Sequence, residues 1–313
     1  MRLAAIFPGQ GSQVVGMGSD VAVHSSKAGE LFERAAATLG YDLLDLQRRG
    51  PEERLRETQF SQPAIFTTNL AIYYAAAVPA PIVSAGHSFG EFCSLTIAGS
   101  LSFEEALRIV DARGKAMQYA AEVAPGGMTA ILGLEPSQIR ELVAQAQRET
   151  GERVQLANFN SPTQIVISGD LNAVNAAAQA ALAAGAKRVV PLNVSGAWHS
   201  TLMEPAVVPF SAAVDSGHFQ LPEFDVISNV DAQRYEKIET IKTNLVRSIT
   251  QEVRWHDTAL AVLGYNPDAI VEFGATPVLG PLMRRLPEAP NVINVSDRAG
   301  IEKLQTKIRE HVA

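Results

Sequence analysis

The residues of this chain that most directly suggest chemistry are Gly86-His87-Ser88-Phe89-Gly90, a serine framed by two glycines. Pro81-Ile82-Val83-Ser84 before it has the character of a short buried strand, and Phe92 to Ala98 after it is an apolar run of helical type. A Gly-x-Ser-x-Gly stretch between a strand and a helix is the nucleophile elbow, a tight, strained turn that leaves the serine hydroxyl exposed. The glycines are needed because side chains at 86 and 90 would collide as the helix passes back over the strand. The bare pattern is common by chance, so its place between strand and helix is what selects Ser88 as a nucleophile.

A serine hydroxyl needs a neighbouring base, and histidine has the suitable pKa. Of the six histidines, His24 and His311 fall on surface helices or termini and His218 in a polar turn. His256 follows Trp255 at a helix start, a structural position, and His87 precedes the nucleophile, so its side chain points away from Ser88. By elimination the base is His199, in the loop Ser195-Gly196-Ala197-Trp198-His199-Ser200. Asp111, Glu122 and Asp170 lie between serine and histidine in the chain, where a third triad member would stand, but none is at a convincing strand end. The expectation is a Ser-His dyad whose imidazole is held by a backbone carbonyl. The N–H of Phe89 and the N–H of Gln10, in the loop after the first strand, are the natural oxyanion donors. That loop, Pro8-Gly9-Gln10-Gly11-Ser12-Gln13, continues to Gly16 and Gly18 and matches neither phosphate-binding glycine pattern. Arg113 lies among apolar neighbours on a long amphipathic helix, a pattern that by itself favours a solvated or snorkelling arginine.

The elements around these residues alternate. Strands are expected at Leu3 to Phe7, at the elbow, at Asp225 to Asn229, at Ala269 to Phe273 and at Asn291 to Val295, with helices between them, including Ala64 to Ala77 and Phe103 to Val123. After Pro125-Gly126-Gly127 the pattern changes to strand, helix, two strands, helix and strand, closing at Val194, which is the ferredoxin-like order. The expected fold is therefore α/β: an α/β-hydrolase-like domain with a mainly parallel sheet, residues 1–126 and 196–313, and an inserted ferredoxin-like subdomain, residues 127–195.

Composition narrows the partners. At 313 residues, 47% hydrophobic and 19% charged, the chain is an ordinary globular one, and its net charge of -7 argues against nucleic acid. No apolar run approaches a membrane span, and the five apolar residues from Leu3 to Phe7 are too few for a signal peptide. The single cysteine, Cys93, falls in the apolar run after the elbow, where packing is its role, and agrees with a reducing compartment. A cytoplasmic monomer is expected, with no metal and no cofactor.

Phe7-Pro8-Gly9-Gln10-Gly11-Ser12-Gln13, Gly86 to Glu91, Arg113-Gly114-Lys115-Ala116-Met117, Asn158-Phe159-Asn160-Ser161-Pro162 and His199-Ser200-Thr201-Leu202-Met203 together closely resemble the malonyl-CoA:acyl carrier protein transacylases, in family order from residue 3 to about residue 296. The resemblance implies malonyl transfer from malonyl-CoA to the phosphopantetheine thiol of acyl carrier protein through Ser88, with His199 as acid and base. It gives Arg113 the substrate carboxylate, and Met117, Asn160 and Trp198 the acyl pocket. Ser248 stands where relatives place the residue whose backbone carbonyl holds the histidine. Phe89 and Trp198 are bulkier than their usual counterparts; both are expected to line the pocket and to disfavour branched acyl groups. An acidic carrier calls for a local basic patch, and Lys187-Arg188 and Arg284-Arg285 are the paired cations available. The same scaffold also suits an acyl-thioester hydrolase or an acyltransferase for a polyketide carrier, and a silent docking module is disfavoured by the intact Ser88, His199 and Arg113.

Overall fold

The computed structural model describes residues 1–286 and 289–312. Its strands are β1 (Leu3–Phe7), β2 (Val83–Gly86), β3 (Gly127–Leu132), β4 (Val154–Ser161), β5 (Gln164–Gly169), β6 (Arg188–Pro191), β7 (Asp225–Ile227), β8 (Ala269–Phe273) and β9 (Val292–Val295). Five of them form a wholly parallel sheet in the order β7-β2-β1-β8-β9. A parallel sheet covered by helices on both faces has strands that read as continuous apolar runs, and β1 is such a strand. Its Leu3, Ala5 and Phe7 enter the larger core, and Ala4 and Ile6 enter a second core on the opposite face.

The other four strands form an antiparallel sheet in the order β4-β5-β3-β6. Period-two alternation divides its side chains between two environments. Ile131, Leu156, Ile165 and Ile167 pack under the helices Pro136–Thr150 and Leu171–Ala183, while Met128, Ala130 and Val166 join the larger core. That second face overhangs the carboxyl ends of the parallel strands, where α/β proteins keep their sites.

Boundaries depart from the sequence expectation in places with physical causes. The buried helix runs Thr58–Ala76, beginning ahead of Pro63 rather than after it. Its start is held from outside, because Gln118 Oε1 accepts the Thr58 N–H at 3.2 Å and Gly114 lets the helix Phe103–Val123 approach: a Cβ at 114 would sit 2.8 Å from the Thr58 carbonyl oxygen. The helices Ser19–His24, Leu43–Arg49 and Glu204–Ser216 have no counterpart in the sequence expectation. The last carries Pro205 and Pro209, which mask a helical pattern, yet it buries Phe210 completely. Among the described residues no helix is long and apolar enough to cross a membrane.

Candidate active site

Parallel pairing sets Phe7 of β1 opposite Gly86 of β2, and the His87 N–H donates to the Phe7 carbonyl at 2.9 Å. The chain then reverses so tightly that a Cβ on Gly86 would lie 1.9 Å from the Gly90 carbonyl carbon, and one on Gly90 would lie 2.5 Å from the Phe7 oxygen. Glycine is the one residue that fits at either point. Ser88 between them takes φ 54°, a left-handed conformation that costs a side-chain-bearing residue about 1–3 kcal/mol.

Ser88 Oγ lies 2.9 Å from His199 Nε2. The other ring nitrogen, Nδ1, is 2.7 Å from the Ser248 carbonyl oxygen. A carbonyl only accepts, so Nδ1 carries the proton and Nε2 presents its lone pair to the hydroxyl. Asp111, Glu122 and Asp170 are engaged elsewhere, with Lys115, Gln118 and Arg153. The unit is a dyad held by a carbonyl. His199 also sits at positive φ, 57°. Its loop is pinned by Gln155 of β4, whose Nε2 donates to the His199 and Thr250 carbonyls at 3.2 and 3.0 Å and whose Oε1 accepts the Thr201 N–H at 3.1 Å.

Burial pushes the His199 pKa down to about 3, the Arg113 charge lowers it further, and the Ser248 carbonyl opposes both. A depressed pKa keeps the free base available to lower pH. Sulfonylation of Ser88 by the neutral reagent phenylmethylsulfonyl fluoride is therefore expected to hold its rate from about pH 8 to about pH 5, since kcat/KM-type constants follow the free enzyme's ionisations. An acid limb centred near pH 6.5, the ordinary histidine value, would contradict this environment.

Gly9, Gln10, His87, Asn160, Met117, Trp198 and Arg113 line a cavity of about 220 Å³ with the dyad at its base. The Gln10 side chain is turned away into a polar contact with Thr58 Oγ1 at 3.1 Å, and among the described residues no backbone carbonyl accepts its N–H. Asn160 Oδ1 lies 3.0 Å from His87 Nε2, which accounts for the direction of the His87 ring. Arg113 is 1% exposed, forms no ion pair among the described residues, and places Nη2 3.3 Å from Ser88 Oγ. Burial lowers its pKa to about 9, against which the more distant Glu91 charge works, so the guanidinium remains a cation at neutral pH. Trp198 lines the cavity, with its indole N–H buried and without a partner among the described residues. Phe89 does not: its ring is buried beneath Arg113, 6.0 Å from the guanidinium carbon, as is Phe210 on the other helix. The aromatic bulk at 89 therefore supports the arginine and leaves the pocket's width to Trp198.

The paired cations lie outside the cavity. Arg285 Nη1 donates to Gln164 Oε1 at 2.8 Å, and Gln164, which lines the cavity mouth, is paired through Leu132 with Arg188. Two strand spacings, about 10 Å, separate the Gln164 and Arg188 backbones. Arg285 and Arg188 thus flank one stretch of the cavity's edge, Lys187 and Arg284 are exposed beside them in the chain, and none of the four is in an ion pair among the described residues. Sequence reasoning missed Gln155 and Asn229. Asn229 Oδ1 accepts the Ser88 N–H at 2.6 Å, and its place at the carboxyl end of a parallel strand was the available clue.

The arrangement suits acyl transfer to and from a serine with an anion held beside it. A sequence model of the acyl transferase domain matches residues 5–302. The malonyl CoA-acyl carrier protein transacylase of Haemophilus influenzae is 39% identical over 308 residues, covering 97% of this chain and 98% of that one. The protein of that name from Escherichia coli K12 is 38% identical over 288 residues, covering 91% and 93%. Among solved structures, the malonyl CoA-acyl carrier protein transacylase of Coxiella burnetii superposes with a TM-score of 0.93 at 35% identity, covering 98% of each chain. A malonyl-transacylase solved in complex with the holo form of a type II polyketide acyl-carrier protein superposes with a TM-score of 0.94 at 36% identity, covering 98% of this chain and 100% of that one. With the serine elbow, its histidine and the matched length in agreement, this chain belongs to the acyl transferase family.

Proposed function

We propose that this protein is an acyl carrier protein S-malonyltransferase, moving malonyl from malonyl-CoA to the phosphopantetheine thiol of an acyl carrier protein. The observation that carries the proposal is Arg113, a buried cation without an ion-pair partner, 3.3 Å from the nucleophile in the same cavity. Such a charge is costly unless a ligand supplies the anion, and malonyl differs from acetyl by one carboxylate.

His199 Nε2 takes the Ser88 proton as Oγ attacks the thioester carbonyl. The N–H groups of Phe89 and Gln10 receive the oxyanion. Collapse breaks the C–S bond, and the imidazolium gives its proton to the departing CoA sulfur. The carrier thiol then gives its proton to His199 and attacks the malonyl ester. Ser88 leaves with that proton, and the dyad is restored.

Intact-protein mass spectrometry tests the two steps. Malonyl-CoA is expected to add one malonyl mass, and holo acyl carrier protein to remove it and carry it. Loss of the adduct to free malonate with the carrier unmodified would make the protein a hydrolase. The polyketide-carrier complex among the structural neighbours supports a second acceptor class; kcat/KM with fatty-acid and polyketide carriers separates the two. The rim of Lys187, Arg188, Arg284 and Arg285 is where an acidic carrier would dock. Reversing all four charges is expected to raise KM for the carrier at least about tenfold and to leave acylation by malonyl-CoA unchanged, because surface charge steers partners without touching the chemistry. Unchanged carrier kinetics would remove the rim from the docking surface.

A further inference from the structure

The strained turn at Ser88 is held by groups that lie far from it in sequence. Its N–H can only donate, so the amide oxygen of Asn229 faces it, at 2.6 Å. Asn229 is fully buried, and its Nδ2 has no partner among the described residues. A buried orphan donor is destabilising, so the amide is kept here for its oxygen. The residue is fixed from both sides of its backbone: its carbonyl accepts the Arg254 N–H at 2.9 Å, and its N–H donates to Glu91 Oε2 at 3.0 Å.

Glu91 opens the helix Glu91–Ile97 that leaves the elbow, and it is only 3% exposed. Its second oxygen accepts the Tyr235 hydroxyl, and the Tyr235 N–H donates to the Val226 carbonyl of β7 at 3.0 Å. One carboxylate thus joins the exit of the elbow to the loop that grips its centre. Burial lifts the Glu91 pKa to about 7, and the hydrogen bonds from Tyr235 and Asn229 pull against that rise. A buried acid is an expensive way to fill space, and two donors converge on this one.

We infer that Tyr235, Glu91 and Asn229 form a positioning bracket that holds Ser88 in its left-handed conformation and its Oγ within reach of His199 Nε2. The inference rests on Ser88 as the nucleophile. Glu91 also acts at a distance on Arg113, so Asn229 gives the cleaner variant. A displacement near 1 Å from the reactive geometry costs about 100-fold in rate, so Asn229→Ala is expected to slow both single-turnover malonylation and sulfonylation by phenylmethylsulfonyl fluoride about 10- to 100-fold. Binding of malonyl-CoA, compared in Ser88→Ala and Ser88→Ala/Asn229→Ala, is expected to agree within about twofold, because the bracket does not touch the ligand. Asn229→Asp keeps the acceptor and is expected to recover the rate to within about threefold of the parent. Tyr235→Phe, which removes a single hydroxyl, is expected to be slowed about 3- to 10-fold and serves where Asn229→Ala fails to fold.

A folded Asn229→Ala or Tyr235→Phe that reacts at the parent rate overturns the bracket. So does a rate loss matched by weakened binding and not recovered by Asp. Labelling that persists in Ser88→Ala would instead overturn the nucleophile itself, so the two failures are distinguishable.

Discussion

Malonylation by a His199→Ala variant is expected to fall on the order of 10⁴- to 10⁶-fold, and Ser88→Ala to form no adduct at all, because the two residues act as one unit. Rapid-quench measurement of malonyl-enzyme gives the rate constant directly. The double variant, like Ser88→Ala alone, should form no adduct, since no acceptor oxygen remains. Residual rate of His199→Ala above the uncatalysed reaction would come from the proposed oxyanion donors Phe89 and Gln10 and from binding. Ser248 supplies the sharpest internal control. Its contribution to His199 is a backbone carbonyl at 2.7 Å, while its own hydroxyl donates to the Leu245 carbonyl. Ser248→Ala keeps the carbonyl and is expected to retain activity within about threefold. A collapse comparable to His199→Ala would mean that the side chain, and not the carbonyl, sets the imidazole.

The parts of this site that sequence revealed are those whose requirements are local. Gly86 is dictated by the close approach of the Gly90 backbone within the same five residues, and Gly90, which meets the Phe7 carbonyl of β1, stands in that same stretch, so the elbow is written in one piece of chain. β1 is apolar throughout because both its faces are covered, which a run of five residues can display. The base came by elimination, and a carbonyl as its support was the expectation once no carboxylate stood at a strand end. Asn229 and Gln155 were hidden for the opposite reason. Their roles are hydrogen bonds to residues far off in the chain, spanning 141 residues from Asn229 to Ser88 and 44 from Gln155 to His199, and no periodicity or composition marks them. Phe89 was misplaced because motif position says where the backbone runs and not which way a ring turns; here it turns down under Arg113. Phe210 shares that task, and its helix was missed because its prolines read as breaks.

Arg113→Met is expected to separate function from stability. A guanidinium that receives a carboxylate through two charge-assisted hydrogen bonds gains about 3–6 kcal/mol, equivalent to roughly 10²- to 10⁴-fold in kcat/KM for malonyl-CoA. Acetyl-CoA offers no carboxylate, so its transfer should change by less than about tenfold. The same cation contributes little to the empty fold. It is 1% exposed, its Nε has no partner among the described residues, and its hydrogen bond in the site is to a neutral hydroxyl. Methionine fills much of that volume beside Phe89 and Phe210 without a charge to desolvate, and replacing a buried ion by an apolar side chain of similar size is often neutral or stabilising by about 1–4 kcal/mol. The variant is therefore expected to melt at the parent temperature or above it while losing malonyl selectivity. Removing the Arg113 charge should also raise the His199 pKa, because that charge is the second-largest cause of its depression. The acid limb of sulfonylation would then move upward in pH in Arg113→Met, a shift that a purely steric role for the side chain would not produce. Equal losses with malonyl-CoA and acetyl-CoA, or a large drop in melting temperature, would show that Arg113 is structural and that the carboxylate is read elsewhere.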